Sequence, residues 1–306
     1  MINKNSKIYI AGHNGMVGSA CHRALKARGY TNIIGYNSKE LDLKDQKKVF
    51  DIINIDKPDV IIDSAARVGG IWANNQNQYE FLMDNMLIQN NLISAAHELN
   101  IKKFIFLGSS CIYPKMAPQP LKEEFLLTGS LEESNQWYAI AKISGVKLIE
   151  ALRNQFNRDY ISLMPTNLYG PGDNYHPENS HVLPAMLRKF HEAKEKNKKE
   201  VILWGSGEPK REFLHVDDLA NAIVFILENS MSDSLYNIGS GVEVKVKELA
   251  YLIQKIIGFD GRISWDNSKP DGTPRKLIDS SKINSAGWSA KIDLTKGIES
   301  VYKSKF

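Results

Sequence analysis

The sequence predicts an α/β fold in which helices cover both faces of a doubly wound parallel sheet. Short apolar segments alternate with longer segments whose apolar residues recur at helical spacing. The apolar segments are continuous and do not alternate with polar residues, which indicates strands that are covered on both faces. Because strands that alternate with helices are joined by right-handed crossovers, these segments predict one parallel sheet.

The first 166 residues contain the clearest alternation of strands and helices. Gly29 ends the first helix and Pro58 precedes the third strand, as expected for residues that interrupt regular structure. The predicted strands are Lys7–Ala11, Asn32–Tyr36, Val60–Ala65, Phe104–Leu107 and Tyr160–Met164. The predicted helices between them are Val17–Arg28, Lys44–Ile55, Tyr79–Leu99 and Trp137–Asn157.

The sequence changes in character after Pro165. The segment 167–180 contains several glycines and prolines, which indicates a loop. The elements predicted beyond it are the helices Val182–Lys196 and Asp218–Glu228 and the strands Val201–Trp204 and Leu235–Ile238. We therefore predict a first domain over residues 1–166, to which residues 211–232 return. Residues 167–306 are predicted to form a second, smaller α/β domain.

The composition of the 306-residue chain excludes several classes of protein. With 39 Lys and Arg against 35 Asp and Glu, the net charge is only +4. The chain has no dense basic stripe, so we expect no nucleic-acid partner. It has no run of about 18 apolar residues, so we expect no membrane span. The short apolar run near the N-terminus does not suit a secretory signal.

The cysteines and histidines indicate neither disulfides nor a metal site. The two cysteines, Cys21 and Cys111, are too few for a disulfide scaffold or a structural zinc site. The seven histidines show no metal-binding spacing, so we expect no metal. Unpaired thiols fit a reducing compartment, and we expect a cytoplasmic protein.

A glycine-rich turn between the first strand and the first helix predicts a dinucleotide site. Gly12, Gly15 and Gly18 have the spacing G-x-x-G-x-x-G. Glycines permit the tight turn, let the backbone approach a pyrophosphate and let helix and strand pack closely. The helix N-terminus then offers free N–H groups and a partial positive charge to the phosphates. The predicted residues of this Rossmann-type site are Gly12, His13, Asn14, Gly15, Met16, Val17 and Gly18.

The residues after the second strand bear on the choice between NAD and NADP. An acidic residue at the strand tip would bind a ribose diol and favour NAD, and none stands immediately there. Lys39 is placed to meet a 2′-phosphate, which favours NADP, whereas Glu40 leaves the choice open.

A tyrosine, a lysine and a serine form a candidate catalytic set. Tyr138 and Lys142 are four residues apart on a predicted helix, which places them on one face. A nearby ammonium group lowers the pKa of a phenol, so the tyrosine can exchange a proton near neutral pH. Ser109 follows a strand, at the edge where parallel sheets build their sites, and its hydroxyl suits a substrate carbonyl. With the glycine turn upstream, this set predicts a reductase.

Together these motifs resemble the extended short-chain dehydrogenase/reductase family over nearly the whole chain. Within that family, the resemblance is to the epimerase/reductases of GDP-4-keto-6-deoxy-mannose. The segments that carry it are Gly12–Gly18, Ala65–Ile71, Leu107–Lys115, Tyr138–Lys142, Pro165–Pro171, Ser180–Pro184, Arg211–Asp218 and Ser268–Lys276.

The resemblance implies a two-step reaction between the two domains. NADP would bind the first domain and a GDP-4-keto sugar the second. Cys111 would act as a base and His181 as an acid in epimerising the carbons beside the ketone. Hydride would then reach carbon 4, and Tyr138 would give the proton. The resemblance also implies a homodimer formed through the two long helices, Tyr79–Leu99 and Trp137–Asn157.

The resemblance also implies ligand-binding residues. Beyond the glycine turn, the implied cofactor residues are Lys39, Asp42, Leu43, Leu107, Gly108, Ser109, Ser110, Lys142, Pro165, Thr166, Asn167, Leu168 and His181. The implied substrate residues are Lys189, Trp204, Arg211 and Lys269 or Arg275. For Trp204, a place in the core is the rival interpretation. Cys111 and His181 have rival interpretations as a core cysteine and a residue that starts a helix.

Two departures from the family pattern keep other functions open. Asn14 stands where better-known members have arginine, which weakens the NADP preference, and Trp72 replaces a smaller aliphatic residue. A plain carbon-4 reductase of a related GDP-4-keto hexose or heptose, for a surface polysaccharide, is therefore the nearest alternative. A cofactor-sensing regulator is disfavoured because such proteins usually lack the Tyr138–Lys142 pair. A dehydratase is disfavoured because Ser110 and Cys111 stand where it commonly has Asp and Glu.

Overall fold

The structure is a computed structural model that describes residues 2–177, 179–269 and 271–306. In the first half of the chain, strands and helices alternate as the apolar pattern predicts. These elements are β1 (Ile8–Ala11), α1 (Met16–Ala27), β2 (Ile33–Ile34), α2 (Gln46–Asp56), β3 (Val60–Asp63), α3 (Ile71–Gln76), α4 (Gln78–Glu98), β4 (Lys103–Leu107), α5 (Gln136–Phe156) and β5 (Asp159–Pro165).

The second half contains shorter strands and further helices. These elements are β6 (Asn167–Tyr169), α6 (Val182–Glu195), β7 (Glu200–Trp204), β8 (Lys210–His215), α7 (Val216–Glu228), β9 (Leu235–Ile238), β10 (Glu243–Lys245), α8 (Val246–Ile257), β11 (Arg262–Asp266), β12 (Arg275–Lys276), α9 (Ser281–Ser285) and α10 (Leu294–Lys305).

The main sheet is parallel and has helices on both faces. Its strand order is β2-β1-β3-β4-β5-β9, and each neighbouring pair is parallel. One face buries apolar residues of the sheet against α1 and α7, and the other buries them against α2, α4 and α5. Because both faces are covered, β1, β3 and β4 are buried along their whole length. The predicted fold class is confirmed.

A second core lies between α6, α8, α10 and the strands β7, β8 and β11. There, β8 pairs antiparallel with β10 and parallel with β12 and β6, and β7 pairs parallel with β11. The helix α8 and the strands β10 to β12 have no counterpart in the sequence prediction, which named no elements after Ile238.

The chain returns to the main sheet over a longer segment than predicted. Strand β9 pairs with β5, α7 packs on α1, and Ile283 of α9 lies in the core of the first sheet. Residues beyond 232 therefore also pack with the main sheet, although the predicted returning segment ended at residue 232. The division into two domains at residue 166 stays a prediction.

Two predicted strands are shorter in the structure, since Asn32–Tyr36 is reduced to Ile33–Ile34 and Val60–Ala65 loses its last two residues, which turn towards the glycine turn. The predicted strand Val60–Ala65 ends at Asp63, and Ser64 Oγ donates to the carbonyl oxygen of Ala11 over 2.6 Å. Within the described residues, no helix has the length and apolar character needed to cross a membrane.

Candidate active site

The glycine turn has the close packing that a pyrophosphate site requires. Gly12 has φ +77°, and a Cβ there would lie 2.9 Å from the backbone N of Ala65. A Cβ on Gly18 would clash with the carbonyl oxygen of Gly12. Gly15 begins α1 with no side-chain cap, so the first N–H groups of the helix lack a side-chain acceptor. The residues therefore fit a dinucleotide at this helix N-terminus.

The side chains beside this turn form the candidate adenosine end of the site. His13 packs against Gly35, the residue after β2, since a Cβ on Gly35 would lie 2.6 Å from its Nδ1. Asn14, Lys39 and Asp42 are exposed, and Asp42 accepts the backbone N–H of Lys44 over 3.0 Å. The other predicted members here, Met16, Val17 and Leu43, are partly buried.

Lys142 is fixed beneath the candidate catalytic tyrosine. Its Nζ donates to the carbonyl oxygen of Leu107 over 2.9 Å and lies 4.7 Å from the ring centroid of Phe106. The same Nζ is 5.8 Å from the ring centroid of Tyr138, one helical turn earlier on α5. Helix α5 therefore presents the phenol and the ammonium group on one face, at the carboxyl end of β4.

Burial raises the pKa of the Tyr138 phenol and lowers the pKa of the Lys142 ammonium group. Burial raises the pKa of Tyr138, and the nearby Cys111 and Asp63 raise it further. Burial lowers the pKa of Lys142, while Asp63 and Cys111 oppose that shift. Both shifts favour the uncharged form, which is the usual effect of removing a titratable group from water.

Asp63 is a charged group beneath the site that the sequence reasoning missed. It ends β3, is fully buried and pairs in register with Phe106 on β4. Its Oδ1 accepts the backbone N–H of Ala65 over 3.2 Å, and its Oδ2 has no partner. Burial raises the pKa of Asp63 to about 6, with Lys142 opposing the shift. The sequence signal that could have indicated this residue is the carboxylate at the end of an otherwise apolar strand, Val60–Asp63.

Ser109 and Cys111 lie on one tight turn after β4. The 3₁₀ turn Ser110–Ile112 begins after Ser109, whose Oγ accepts the backbone N–H of Cys111 over 3.4 Å. Ser109 is partly buried, and Cys111 is buried. The candidate carbonyl ligand and the candidate base are therefore held by the same few residues.

A narrow cavity opens beside the Cys111 thiol. Its wall combines residues of the Ser110–Cys111 turn with residues that lie far away in sequence. The wall residues that bear on the chemistry are Ser110, Cys111, Glu132, Asn135, Thr273, Arg275 and Lys276. Lys276 is the last residue of the Ser268–Lys276 motif, and the sequence alone indicated no role for it.

His181 is the residue immediately before helix α6, at its N-terminus. Its side chain makes no cap hydrogen bond to the helix, so the imidazole remains available to a ligand. It is accessible to solvent, but the surrounding protein and the charge of Lys276 lower the pKa of His181. A Cβ on Gly70 would lie 3.2 Å from the carbonyl oxygen of Ser180, so the segment before α3 packs against this histidine's neighbour.

The predicted nicotinamide segments lie side by side at the ends of β4 and β5. Gly108 donates to the carbonyl oxygen of Leu163 over 2.9 Å, and a Cβ on Gly108 would clash with Met164. Asn167 Nδ2 donates to the carbonyl oxygen of Glu212 over 2.7 Å. The remaining members, Leu107, Ser110, Pro165 and Thr166, are buried, and Leu168 is partly buried.

Trp204 and two lysines form the candidate nucleotide end of the cleft. Trp204 is 56% exposed, so the interpretation as a core residue is wrong. Lys189 Nζ and Lys269 Nζ each lie 5.6 Å from its ring centroid. An exposed indole with two flanking cations suits a base or sugar that carries phosphates.

The two predicted arginines, Arg211 and Arg275, differ in the partners of their guanidinium groups. Arg211 Nη2 donates to the carbonyl oxygen of Asp271 over 3.3 Å, and Asp271 also accepts the backbone N–H of Ser206 over 2.7 Å. Arg275 is bound to Glu243 over 2.7 Å, so its guanidinium already has a carboxylate partner. The sequence left open whether Lys269 or Arg275 contacts the substrate. In the structure it is Lys269 that lies beside Trp204. Pro270, within the Ser268–Lys276 motif, lies outside the described residues.

The described part of the chain contains no group of three or more His, Cys, Asp or Glu residues that could hold a metal ion. The side chains of Tyr138, Cys111 and His181, with Ser109 as a candidate ligand of a carbonyl, suit acid–base chemistry.

Comparison with known proteins gives the relatives of this chain. Residues 8–239 match the model of the NAD dependent epimerase/dehydratase family. The chain is 54% identical to a putative GDP-L-fucose synthase 2 of Arabidopsis thaliana, over 99% of this chain and 92% of that protein. It is 49% identical to the GDP-L-fucose synthase of Escherichia coli (strain K12), over 97% of this chain and 95% of that protein.

A solved structure with bound cofactor is also similar. A GDP-mannoheptose C4 reductase from Campylobacter jejuni with NADP bound has a TM-score of 0.92 to this chain. The two chains are 38% identical, and the match covers 99% of each.

Proposed function

The chain belongs to the NAD dependent epimerase/dehydratase family, and we propose that it is an NADP-dependent epimerase/reductase of a GDP-4-keto sugar. The reaction converts GDP-4-keto-6-deoxy-D-mannose to GDP-L-fucose by inverting carbons 3 and 5 and then reducing the ketone at carbon 4. The observation that carries this proposal is the single turn that holds both Ser109 and Cys111 beside Tyr138. Relatives at 49% to 54% identity that are named GDP-L-fucose synthase support it.

The residues of the first layer hold the cofactor. Gly12–Gly18 and the N-terminus of α1 would hold the pyrophosphate, and Lys39 would bind the 2′-phosphate. When bound, NADPH supplies the hydride for carbon 4. Asp42 and Leu43 would hold its adenosine end. The residues proposed to flank its nicotinamide end are Leu107, Gly108, Ser109, Ser110, Lys142, Pro165, Thr166, Asn167, Leu168 and His181.

The reduction uses Ser109, Tyr138 and Lys142. Ser109 binds the carbonyl oxygen, and Tyr138 donates its phenolic proton to that oxygen as negative charge develops. Lys142 stabilises the resulting phenolate, because its ammonium group lies on the same helix face and is held by Leu107.

The epimerisation uses the acidity of protons beside the ketone. Ser109 and Tyr138 bind the carbonyl oxygen and so stabilise the enolate. Cys111 removes a proton from one face of the sugar, and His181 returns a proton to the other. Repeating the exchange at carbons 3 and 5 gives the inverted sugar before reduction.

The nucleotide part of the substrate lies along the second core. Trp204 packs against the base or a sugar ring, and Lys189, Lys269 and Arg211 bind the phosphates. Arg275 contributes through its ion pair with Glu243, which fixes β12 to β10.

The test is the product formed from GDP-4-keto-6-deoxy-mannose and NADPH in deuterated water. We expect NMR to show the L-fucose configuration with deuterium at carbons 3 and 5. Reduction without deuterium would show a plain carbon-4 reductase, and Cys111 and His181 would lose their roles. Binding of NADPH without turnover of any GDP-4-keto sugar would indicate a cofactor-sensing protein.

The plain carbon-4 reductase remains the second candidate. The solved GDP-mannoheptose C4 reductase with NADP supports it, and so does Trp72, which is 47% exposed on a helix near the His181 segment. In this candidate the substrate is a sugar other than the 6-deoxyhexose. Turnover of a GDP-4-keto heptose in preference to the hexose would favour this candidate, with a role in surface polysaccharide synthesis.

We also propose that the enzyme acts in the cytoplasm as a homodimer formed through α4 and α5. Exposed apolar side chains on these helices support the dimer, namely Leu87 at 37% and Ile140 at 40% exposure. Light scattering after size exclusion tests this. A dimer that becomes monomeric in Ile140→Asp is expected, and a monomer in the unaltered protein would exclude it.

A further inference from the structure

Glu212 is a fully buried carboxylate on β8 that binds the backbone of two other segments. Its Oε1 accepts the backbone N–H of Gly241 over 2.7 Å, and its Oε2 accepts the backbone N–H of Ile278 over 3.0 Å. The hydroxyl of Ser240 is a further donor, 3.4 Å from Oε1. Because each oxygen faces a donor, the site requires a group that accepts at both atoms, which a carboxylate does and an amide does not.

The two segments that Glu212 binds belong to different parts of the fold. Gly241 follows β9, which pairs with β5 in the main sheet. Ile278 follows β12, which pairs with β8, and it forms a bridge with Leu121. A Cβ on Gly239 would clash with Oε1 of Glu212, so the chain is closely shaped around the carboxylate. A buried carboxylate with donors from two segments fixes the position of both relative to β8.

The backbone of Glu212 is bound to the proposed nicotinamide segment. Its carbonyl oxygen accepts a hydrogen bond from Nδ2 of Asn167 over 2.7 Å and one from Oγ1 of Thr166 over 3.4 Å. The preceding residue, Arg211, is the proposed ligand of the substrate phosphates. Glu212 therefore lies at the junction of two binding surfaces. Its side chain anchors β8, its carbonyl oxygen holds the cofactor side, and its neighbour reaches the substrate side.

We propose that Glu212 is a positioning residue, whose carboxylate holds the substrate strand β8 in a fixed relation to the nicotinamide segment. The inference rests on the proposed epimerase/reductase function and adds a residue that acts without touching either ligand. Hydride transfer depends on the distance and angle between the nicotinamide and carbon 4 of the sugar. Loss of the fixed relation therefore lowers the rate of reduction more than it lowers the affinity for either ligand.

Glu212→Gln tests this role with little change in side-chain volume. The new amide places a donor against the N–H of Gly241 or of Ile278, so one of the two backbone hydrogen bonds is lost. We expect kcat for NADPH oxidation with GDP-4-keto-6-deoxy-mannose to fall by roughly 10- to 100-fold. The Kd of NADPH and the Kd of GDP, each titrated alone, should change by less than about threefold.

Asp218→Asn is the matched control for this variant. Asp218 is also a buried carboxylate, and its Oδ2 accepts the backbone N–H groups of Lys291 and Ile292 over 3.0 and 2.8 Å. These two residues and helix α7 lie outside the proposed cofactor and substrate sites. We expect both variants to be less stable in urea unfolding, whereas Asp218→Asn should retain the kcat of the unaltered protein. The comparison separates a loss of positioning from a loss of stability.

A second readout needs no turnover. Bound NADP⁺ fixes the segment that donates to the carbonyl oxygen of Glu212, so we expect saturating NADP⁺ to strengthen GDP binding by about fivefold in the unaltered protein. In Glu212→Gln this factor should fall towards one, and in Asp218→Asn it should persist. If Glu212→Gln fails to fold, Glu212→Asp replaces it, because it keeps both acceptor oxygens but withdraws them by one methylene group.

The outcomes separate the two proposals. Unchanged kcat and an unchanged NADP⁺ effect in Glu212→Gln would overturn the role of Glu212, even if the variant is less stable. A large loss of affinity for GDP or NADPH alone would also overturn it, since Glu212 would then shape a single pocket. Binding of both ligands by the unaltered protein without turnover of the GDP-4-keto sugar would instead overturn the proposed function. The NADP⁺ effect on GDP binding would then decide the role of Glu212.

Discussion

The Oγ atom of Ser109 accepts a hydrogen bond from the backbone N–H of Cys111 over 3.4 Å. This contact brings a candidate carbonyl-binding hydroxyl and a candidate base onto one turn at the end of β4. A ketone whose oxygen bound Ser109 and Tyr138, as proposed, would therefore lie near the turn that carries the thiol. In the proposed reaction, the same binding of the carbonyl oxygen would stabilise the enolate of the epimerisation and the alkoxide of the reduction.

A substitution in the glycine turn, compared with a control elsewhere, separates an effect on cofactor binding from an effect on stability. In Gly18→Ala the new Cβ meets the backbone of Gly12 and His13, which cannot move away as a flexible side chain can. We expect a loss of about 1–3 kcal/mol in the free energy of unfolding. We also expect NADPH affinity to fall by at least about tenfold.

Gly297→Ala is the matched control for this variant. Its Cβ would clash with Tyr169, far along the chain from the glycine turn. Thermal unfolding and fluorescence titration with NADPH measure the two quantities. Equal NADPH affinity in Gly18→Ala and Gly297→Ala would contradict the assignment of the cofactor site.

The buried carboxyl group of Asp63 predicts an effect of pH on stability. Its pKa is raised to about 6 in the folded protein, above the value of an unfolded aspartate. Between about pH 4 and pH 6 the folded state therefore binds more protons than the unfolded state, and Asp63 makes stability fall as pH rises. Asp63→Asn should remove this contribution, which amounts to about 3 kcal/mol.

The measurement is the difference in the free energy of unfolding between Asp63→Asn and the unaltered protein, taken by urea at several pH values. We expect the difference to change in favour of the variant as pH rises from 4 to about 6 and to stay constant above that. A difference that is the same at every pH would mean that Asp63 has an ordinary pKa.

Asp63 also predicts the alkaline limit of the reduction. The reduction needs the proton of Tyr138, and the negative charge of Asp63 raises the pKa of Tyr138 and of Lys142. Replacing Asp63 by Asn should lower both values, because it removes charge that disfavours phenolate and favours ammonium. We expect the alkaline limb of kcat/KM to move down by about one pH unit. An unmoved limb, with normal NADPH binding, would exclude this influence.

Trp204 predicts a loss of substrate binding without a loss of stability. Its indole is 56% exposed, so Trp204→Ala should change the free energy of unfolding by less than about 0.5 kcal/mol. Loss of packing against a base should cost about 1–2 kcal/mol of substrate binding, which raises KM by roughly 5- to 30-fold at unchanged kcat. Tyr251→Ala, which removes an aromatic side chain that is 58% exposed on α8, should leave KM unchanged. A similar KM in both variants would remove Trp204 from the substrate site.

Much of the first layer could be predicted from the sequence because local pattern determines it. The continuous apolar run of β3 and the helical spacing of apolar residues in α4 are local signals, and both elements lie where they were expected. The glycine turn is also local, since the strand, the turn and the helix are consecutive.

Contacts between segments that are far apart in the chain could not be predicted from the sequence. The strand β9 was predicted, but its pairing with β5 brings together segments about 70 residues apart, and no local pattern encodes such a partner. Lys276 and Cys111 line one cavity although they are 165 positions apart. The exposure of Trp204 likewise depends on how β7 packs in the second core, which the strand's own residues leave open.

The most direct test of the account compares the unaltered enzyme with Cys111→Ser in deuterated water, with GDP-4-keto-6-deoxy-mannose and NADPH. We expect the unaltered enzyme to give an L-fucose product with deuterium at carbons 3 and 5. Cys111→Ser should still oxidise NADPH through Ser109, Tyr138 and Lys142 but give a reduced sugar without deuterium. Deuterium at both carbons in the Cys111→Ser product would contradict the claim that one turn supplies both the base and the carbonyl ligand.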